Sequence, residues 1–271
     1  MAFGYYGGKF SKLGWLLPQL ETPHKTYCEL FAGSLSVMLN KPPAEHEIVN
    51  DLSEEVTDFW LALREHKDEL IQAIMSSPPG ESEFKRCFNA PSTDDIVERA
   101  RRFYVRVTQA YSNLPASKNH SRVHQFIGCR PTLSTIADRI RNVEVENTTA
   151  TRLMRRLINR TVDGKRKTPI LFYADPPYLR ETRTTESGDY IHDDFNHDEF
   201  LDAVLNAPPF CKFAISGYPS PLYDNALANW HRVEVDVKLH ASNNRRKGNP
   251  RRTEVVWRNY SIDSKQSRIE I

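Results

Sequence analysis

Short apolar runs alternate with stretches of helical periodicity along most of the chain. Short runs rich in β-branched and aromatic side chains are typical of buried strands. The strands predicted in this way are residues 26–31, 47–50, 143–146, 170–174, 212–216, 231–237 and 254–260. Helical segments separate most of them, which predicts a parallel α/β sheet. The last two follow each other directly and predict an antiparallel hairpin that closes the sheet.

Apolar residues at helical spacing predict the helices. One predicted helix follows the turn at 32–34 and ends near Lys41, and a second runs from the N-cap Ser53 to Pro78. The others are predicted at residues 94–112, 133–141, 151–159, 197–206 and 220–229. Asn196 and Glu199 form a capping-box pair before the helix at 197. Residues 113–131 are polar, basic and without periodicity, so they predict a loop or hairpin. Residues 54–142 are therefore expected to form a mostly helical block between two parts of the sheet.

Composition narrows the class of protein. The 271 residues are enough for one large domain, or for a core domain with a sizeable insertion. Apolar residues make up 39%, and neither a membrane-spanning run nor a signal-peptide pattern is visible, so a soluble cytoplasmic protein is expected. The four cysteines lie far apart and outside any C-x-x-C pair, which suits a reducing compartment and argues against zinc.

The sharpest chemical signal is the tetrapeptide Asp175-Pro176-Pro177-Tyr178, directly after the strand predicted at 170–174. Open α/β sheets bind ligands at this carboxyl end of their strands. An adenine amine is a poor nucleophile because its lone pair is delocalised into the ring. A carboxylate and a rigid backbone carbonyl could accept both N–H bonds and localise that pair, while the tyrosine ring stacks on the base. The alternative is a plain strand-ending turn, since Asp-Pro-Pro is common there.

Two weaker signals precede the tetrapeptide. Phe31-Ala32-Gly33 ends the first strand, and Asp51, eighteen residues past the glycine, ends the second. This is the pattern of nucleotide sites in doubly wound folds, where a glycine lets the ligand approach and an acid binds ribose hydroxyls. Gly7-Gly8-Lys9 offers close backbone approach and a lysine that could pair with a carboxylate. Each of these signals alone also has an ordinary structural explanation.

Together and in this order, the motifs resemble the D12-class, or Dam-like, N6-adenine DNA methyltransferases. In that family a G-G-K motif precedes F-x-G, an acid, an inserted target-recognition region and D-P-P-Y. The resemblance continues through Phe195 to Leu205, Lys212 to Tyr218, and Arg252 to Asn259. It implies a Rossmann-like, S-adenosylmethionine-dependent methyltransferase sheet formed by residues 1–53 and 143–271. The mostly helical residues 54–142 would then be the target-recognition insertion.

The same resemblance implies roles for single residues. Asp175 and Pro176 would hold the target amine, and Tyr178 would stack on the extruded adenine. The implied cofactor contacts are Tyr5, Gly8, Lys9, Glu29, Phe31, Gly33, Asp51 and Asp175, with Lys9 at the methionine carboxylate and Asp51 at the ribose. The family's turn has a second glycine where this chain reads Gly33-Ser34-Leu35, which leaves the geometry of the turn open. The intact strand and acid still predict cofactor binding.

Local basic clusters matter more for polyanion binding than the net charge of +2. Segments 113–131 and 245–252 are predicted to contact DNA, although a solvated hairpin tip is the alternative for the second. The predicted contacts are Lys118, Arg122, Arg130, Arg245, Arg246, Arg251 and Arg252. The basic run at 152–167 fits a solvated helix face equally well. His192, Asp193, Asp194 and His197 look like a metal cluster, but a polar loop before a capped helix is preferred and no metal is predicted.

The predicted function is site-specific methyl transfer from S-adenosylmethionine to the N6 amine of adenine in duplex DNA, with or without a companion restriction nuclease. The target base would be flipped out of the duplex by a monomeric enzyme without membrane contact. Structured RNA is an alternative substrate, because the same tetrapeptide serves RNA enzymes, but the helical block with its basic loop favours duplex DNA. A non-catalytic nucleic-acid-binding protein is the other alternative, which the intact tetrapeptide and Asp51 disfavour.

Overall fold

The computed structural model describes residues 1–5, 7–113, 116–120, 123–163, 168–179, 195–238 and 251–262. The strands in these residues are β1 Thr26–Glu29, β2 His46–Asn50, β3 Glu144–Glu146, β4 Ile170–Ala174, β5 Cys211–Gly217, β6 His231–Lys238 and β7 Arg251–Arg258. They form one sheet in the order β3-β2-β1-β4-β5-β7-β6. Across the same residues, no helix combines the length and the apolar character that crossing a membrane requires.

The sheet is mostly parallel. β1 pairs with β4, β4 with β5, and β2 with β3 in parallel, while β7 lies antiparallel between β5 and β6. Every residue of β4 is buried, as expected for a central strand covered on both faces. The predictions of a Rossmann-like, mostly parallel α/β sheet and of a closing antiparallel hairpin are confirmed.

Helices connect most of the strands. They are α1 Leu13–Leu16, α2 Glu54–Glu65, α3 Lys67–Ser76, α4 Glu81–Asn89, α5 Ile96–Gln109, α6 Val123–Cys129, α7 Leu133–Ile140, α8 Ala150–Asp163, α9 His197–Leu205 and α10 Pro221–Ala226. Side-chain caps satisfy open backbone donors at the starts of α5, α9 and α10. Asp95 accepts from the N–H groups of Val97 and Glu98, and Asn196 accepts from Glu199 N at 3.0 Å, as its predicted capping role requires.

Contacts within the chain divide it into two compact units. The first comprises Met1–Ser11, Ala32–Pro43 and Glu47–Thr148, and includes α2 to α7 and β3. An aromatic cluster forms part of its core. The ring of Phe3 lies 5.1 Å from Phe59, 5.5 Å from Trp60 and 5.4 Å from Phe103, measured between centroids. The N-terminal segment is thus anchored to the helices of its own unit by one buried ring.

The second unit comprises Lys12–Phe31, Ala44–His46 and Thr149–Ile271, and includes β1 and β4 to β7. Phe172 of β4 stacks on Phe213 of β5 with 5.0 Å between ring centroids. Trp257 of β7 lies against Gly217, where an added Cβ would come within 3.3 Å of the indole. The indole N–H donates to Asp224 Oδ1 at 3.1 Å, which ties β7 to α10.

Two helix predictions are corrected by the structure. The helix expected as far as Lys41 is only a 3₁₀ turn at Met38–Asn40, because Leu35 has left-handed backbone and Pro42 and Pro43 follow. The single helix expected from Ser53 to Pro78 is two helices. His66, with φ −123° and ψ 42°, lies outside the helical region and separates α2 from α3.

Besides the four-residue α1, two helices lie where the sequence pattern indicated none. α6 and a following 3₁₀ turn at Arg130–Thr132 occupy part of segment 113–131, which was expected to be a loop or hairpin. α4 was not predicted, because its buried apolar positions, Phe84 and Cys87, are too few to establish a period. In both cases packing within the unit supplies helix stability that the local pattern does not indicate.

Candidate active site

The turn that follows β1 in the chain has left-handed backbone at two positions. Gly33 has φ +45° and Leu35 has φ +52°. A left-handed conformation costs a residue with a Cβ roughly 1–2 kcal/mol. Leu35 is held there by its N–H, which donates to Ala32 O at 2.8 Å, and by a fully buried side chain. The turn therefore adopts a glycine-like conformation at Leu35 despite the missing second glycine.

Asp51 is held by backbone donors on both carboxylate oxygens. Gly33 N donates to Oδ2 at 2.8 Å, and Ser53 N donates to Oδ1 at 2.9 Å. Asn147 Nδ2 donates to the backbone carbonyl of Asp51 at 2.8 Å. The residue is half-buried. A carboxylate can accept about four hydrogen bonds, so one fixed in this way can serve as a preset acceptor for hydroxyl groups.

The N-terminal segment packs against the same turn. An added Cβ on Gly33 would lie 3.1 Å from Cδ1 of Tyr5, so the ring covers the glycine. Gly8 N donates to Tyr5 O at 2.9 Å, and a Cβ on Gly8 would come within 3.0 Å of that oxygen. Lys9 is buried, and its ammonium donates to Gly7 O at 3.3 Å. The three predicted residues Tyr5, Gly8 and Gly33 are thus in one cluster.

Trp60, which the sequence analysis did not single out, completes the support of this turn. It is fully buried on α2, and its indole N–H donates to Gly33 O at 2.9 Å. Gly33 is therefore held through its N–H by Asp51, through its carbonyl by Trp60, and through its Cα by the ring of Tyr5. A tryptophan at a core position needs a partner for its indole N–H, and that was the available signal.

Asp175 follows the carboxyl end of β4, as predicted, and is held by side chains. Ser216 Oγ, on β5, lies 2.9 Å from Asp175 Oδ1, and Tyr173 Oη lies 2.9 Å from Ser216 Oγ. Ser216 and Tyr173 are both buried. Because an ionised carboxylate only accepts, the serine hydroxyl donates to Asp175 and can accept from the tyrosine. Neither hydroxyl was singled out from the sequence, although a serine within a buried strand was a visible signal.

A small cleft opens beside this strand end in the second unit. Its lining residues are Pro176, Pro177, Tyr178, Leu179, His197, Ser216, Gly217, Tyr218, Tyr223 and Trp257. The rings of Tyr178 and Tyr218 are 4.2 Å apart between centroids and inclined by 37°. His197 Nδ1 lies 2.9 Å from Tyr223 Oη, and burial raises the pKa of Tyr223, so its phenol stays protonated. Flat aromatic walls with polar groups suit a planar heterocyclic ligand.

Glu29 and Phe31, the remaining predicted cofactor residues, lie in the second unit. Glu29 is buried and accepts a hydrogen bond from Tyr27 Oη at 3.2 Å. Burial, and then the charge of Glu29, raise the pKa of Tyr27, which therefore stays a donor. Phe31 is half-buried and meets Phe195 edge-on at 5.3 Å between centroids.

Two basic residues predicted to contact DNA, Lys118 and Arg130, lie in the described part of the chain and differ in their surroundings. Lys118 is exposed. The guanidinium of Arg130 lies 3.8 Å from the centroid of Phe126 and donates to Ser77 O at 2.6 Å, and burial lowers the pKa of Arg130. Outside the described residues or side chains lie Arg122, Arg245, Arg246, Arg251, Arg252, His192, Asp193 and Asp194. Among described side chains, no group of three or more His, Cys, Asp or Glu could hold a metal ion.

Comparisons with known proteins give distant structural likenesses and one family match. The methyltransferase candidate yhhF of Escherichia coli aligns with a TM-score of 0.35 and 11% identity, over 92% of this chain and 82% of the other. The methylase candidate HI0767 of Haemophilus influenzae aligns with a TM-score of 0.34 and 10% identity, over 96% and 92%. No curated protein matches the sequence. The family model for D12 class N6 adenine-specific DNA methyltransferases matches residues 5–239.

Proposed function

Because the chain belongs to the D12 class N6 adenine-specific DNA methyltransferase family, we propose that it transfers a methyl group from S-adenosylmethionine to the N6 amine of adenine in duplex DNA. The observation that carries the proposal is the end of β4, where Ser216 holds Asp175 beside a cleft with tyrosine walls. Methyl transfer is the activity of the family.

The chemistry assigned to the β4 end concerns the lone pair of the amine. In adenine that pair is delocalised into the ring, so the nitrogen attacks poorly. Asp175 accepts one N–H, and the carbonyl of Pro176, fixed between two prolines, accepts the other, which localises the pair for attack. Formation of the N–CH3 bond would break the methyl–sulfur bond of the donor and leave a neutral thioether. The neighbouring carboxylate would stabilise the cationic amine until its proton passes to water.

Binding of the methyl donor is assigned to the residues that the resemblance implies as cofactor contacts. Asp51 would hold the ribose hydroxyls and Lys9 the methionine carboxylate. The remaining contacts would come from Tyr5, Gly8, Glu29, Phe31, Gly33 and Asp175. The backbone around Gly33 supports this assignment. Asp51 is already fixed on both carboxylate oxygens, and a Cβ added to Gly33 would lie only 3.1 Å from the ring of Tyr5. When bound, S-adenosylmethionine supplies an electrophilic methyl group on a sulfonium.

Base flipping follows from the geometry of a duplex. A stacked and paired amine cannot present its lone pair to a group inside a protein cleft, so the base must leave the helix. Unstacking costs a few kcal/mol, and stacking on an aromatic ring returns roughly 1–3 kcal/mol. We assign that stacking to Tyr178, which lines the cleft directly after the two prolines.

Duplex DNA is the proposed nucleic acid, and residues 54–142 are the proposed target-recognition region between the catalytic parts 1–53 and 143–271. Phosphate contacts are assigned to the basic side chains of segments 113–131 and 245–252. Replacing Arg245, Arg246, Arg251 and Arg252 by alanine should flatten the plot of log affinity against log salt by about 0.9 for each lost contact. An unchanged slope would assign these four side chains to a solvated surface.

The deciding experiment is identification of the methylated product. The protein is incubated with methyl-labelled S-adenosylmethionine and either duplex DNA or structured RNA, and the nucleosides are separated by mass. N6-methyladenine in DNA is expected. Label on cytosine, or on RNA alone, would overturn the proposal, and no label on either polymer would favour the non-catalytic alternative.

A second measurement tests extrusion of the base. A 2-aminopurine at the target position should brighten when the wild type binds, because the base leaves the stack. Tyr178→Phe should keep most of that signal since the ring remains, whereas Tyr178→Ala should lose much of it. Equal brightening with both variants would remove Tyr178 from the stacking role.

A further inference from the structure

Ser216 lies between the side chains of Asp175 and Tyr173 at the carboxyl end of β4. Its Oγ lies 2.9 Å from Asp175 Oδ1 and 2.9 Å from Tyr173 Oη, and the residue is fully buried. The position follows from the strand register. Ala174 of β4 is paired with Ile215 of β5, so the next residues along the two strands are Asp175 and Ser216. The contact is therefore set by the sheet and not by a loop.

The direction of the hydrogen bonds follows from what each group can do. An ionised Asp175 accepts only, so the Ser216 hydroxyl donates to it at 2.9 Å, in preference to the carbonyl of Ala174 at 3.4 Å. The serine oxygen can then accept, and Tyr173 is the donor on its other side at 2.9 Å. Chains of hydrogen bonds that point the same way polarise and strengthen one another. The result is a directed chain from Tyr173 through Ser216 to the carboxylate.

We propose that Ser216, backed by Tyr173, is a positioning residue that fixes Asp175 for methyl transfer. The inference rests on the proposed function, in which Asp175 accepts an N–H of the target amine. The carboxylate torsion of aspartate is broad, so an unheld group samples many orientations. A buried donor on Oδ1 restricts that rotation and leaves the carboxylate in one orientation before the base arrives. Ser216 itself acts only through Asp175.

A positioning role for Ser216 predicts that its loss lowers kcat and leaves KM nearly unchanged. The contact between Asp175 and the amine strengthens as the nitrogen becomes cationic, so loss of orientation affects the transition state more than the bound ground state. Ser216→Ala should lower kcat roughly tenfold, the loss expected for one hydrogen bond to a charged group. KM for duplex DNA and for S-adenosylmethionine should stay within about twofold. A general loosening of the fold would instead change all three constants.

Tyr173 provides a test of the chain. Tyr173→Phe removes the donor to Ser216 and should lower kcat by about threefold, the effect of a neutral hydrogen bond. In the Ser216→Ala background the same change should cost nothing further, because Tyr173 acts through the serine. Losses that multiply in the double variant would contradict the chain.

Matched variants separate positioning from stability. Ser216→Thr keeps the hydroxyl and should recover most of the turnover. Ser216→Cys keeps the volume with a weak donor, should resemble the alanine variant, and supplies the test if that variant does not fold. Ser220→Ala is the control for a buried serine in the same unit. Its hydroxyl caps α10 by accepting from Tyr223 N at 3.3 Å, so stability should fall and kcat should not.

The results separate failure of the proposed function from failure of the positioning role of Ser216. If the wild type transfers no methyl group to adenine, or Asp175→Ala is fully active, the proposed function fails. If the wild type is active and Asp175→Ala is not, wild-type kcat in folded Ser216→Ala and Ser216→Cys overturns the inference alone. A tenfold loss in kcat with constant KM, recovered by Ser216→Thr, establishes Ser216 as a positioning residue.

Discussion

Asp51 in the first unit and Asp175 in the second both follow strands of the sheet, yet they are held in different ways. Asp51 accepts from the backbone N–H groups of Gly33 and Ser53, whereas Asp175 accepts from the hydroxyl of Ser216. Backbone donors persist when a side chain is replaced but depend on the path of the chain. A side-chain donor depends on one residue. The first carboxylate should therefore be sensitive to glycine substitutions, and the second to hydroxyl substitutions.

The largest expected effect is at Asp175. Asp175→Ala removes the proposed acceptor for an N–H of the target amine, so turnover should fall by roughly 10²–10⁴-fold. Asp175→Asn keeps the shape but exchanges one oxygen for an amide nitrogen, and should be nearly as inactive. Methyl incorporation into an adenine-containing duplex measures this, with duplex affinity at fixed salt as the control. Full activity in the alanine variant would remove Asp175 from the reaction.

Substitution of Asp51 should weaken cofactor binding and not act on turnover alone. Asp51→Ala should weaken binding of S-adenosylmethionine by roughly 1–3 kcal/mol, because polar partners lose their acceptor. The same change frees Gly33 N and Ser53 N, so stability should fall as well. Asp51→Asn keeps one acceptor oxygen and should lose less of both. Calorimetric titration measures the affinity, and an unchanged value in a folded alanine variant would rule out the ribose role.

The comparison also explains which parts of the site could be predicted. The roles proposed for Asp51, Asp175 and Tyr178 depend on their side chains, and these residues follow strands that are readable from apolar runs, so their places in the chain were predictable. The partners of Asp51 were not, because any residue type offers a backbone N–H. Ser216 was visible as a polar residue in a buried strand, but its partner depends on the β4–β5 register, which the sequence does not specify.

The fold shows the same limit. The order of strands and helices followed from period and punctuation, since β4 is a continuous apolar run. The turn beyond Gly33 was left open because the family's second glycine is missing there. Leucine rarely adopts positive φ, and Leu35 is held in it by the bond from its N–H to Ala32 O and by its buried side chain. α4 and α6 were not predicted because their stability comes from tertiary contacts and not from a local apolar period.

Glycine substitutions test the dependence of Asp51 on the backbone. Gly33→Ala places a residue with a Cβ at φ +45° and 3.1 Å from the ring of Tyr5. We expect a stability loss of about 1–2 kcal/mol and several-fold weaker cofactor binding, since the N–H that holds Asp51 moves. Gly80→Ala is the control, with φ +127° and nothing within 4 Å of the added Cβ. It should lower the unfolding temperature without changing cofactor affinity, and equal affinity losses would contradict the local explanation.

The smallest expected change in stability is at Ser53, the predicted N-cap of α2, whose backbone is held by Asp51. Ser53 is the N-cap residue of α2, but its side chain makes no capping hydrogen bond. Its N–H instead donates to Asp51 Oδ1 at 2.9 Å. Ser53→Ala should therefore change the free energy of unfolding by less than about 0.5 kcal/mol, because the backbone contact to the carboxylate survives.

Asn196→Ala is the matched substitution in the second unit. There the side chain itself caps α9, with Oδ1 accepting from Glu199 N at 3.0 Å, and its loss should cost about 1 kcal/mol. Urea unfolding of the two variants, followed by circular dichroism, measures the difference. Equal losses would mean that Ser53 caps through its hydroxyl after all, and that the start of α2 does not depend on Asp51. A loss confined to Asn196→Ala would extend the contrast between backbone and side-chain support from the two carboxylates to the helices beside them.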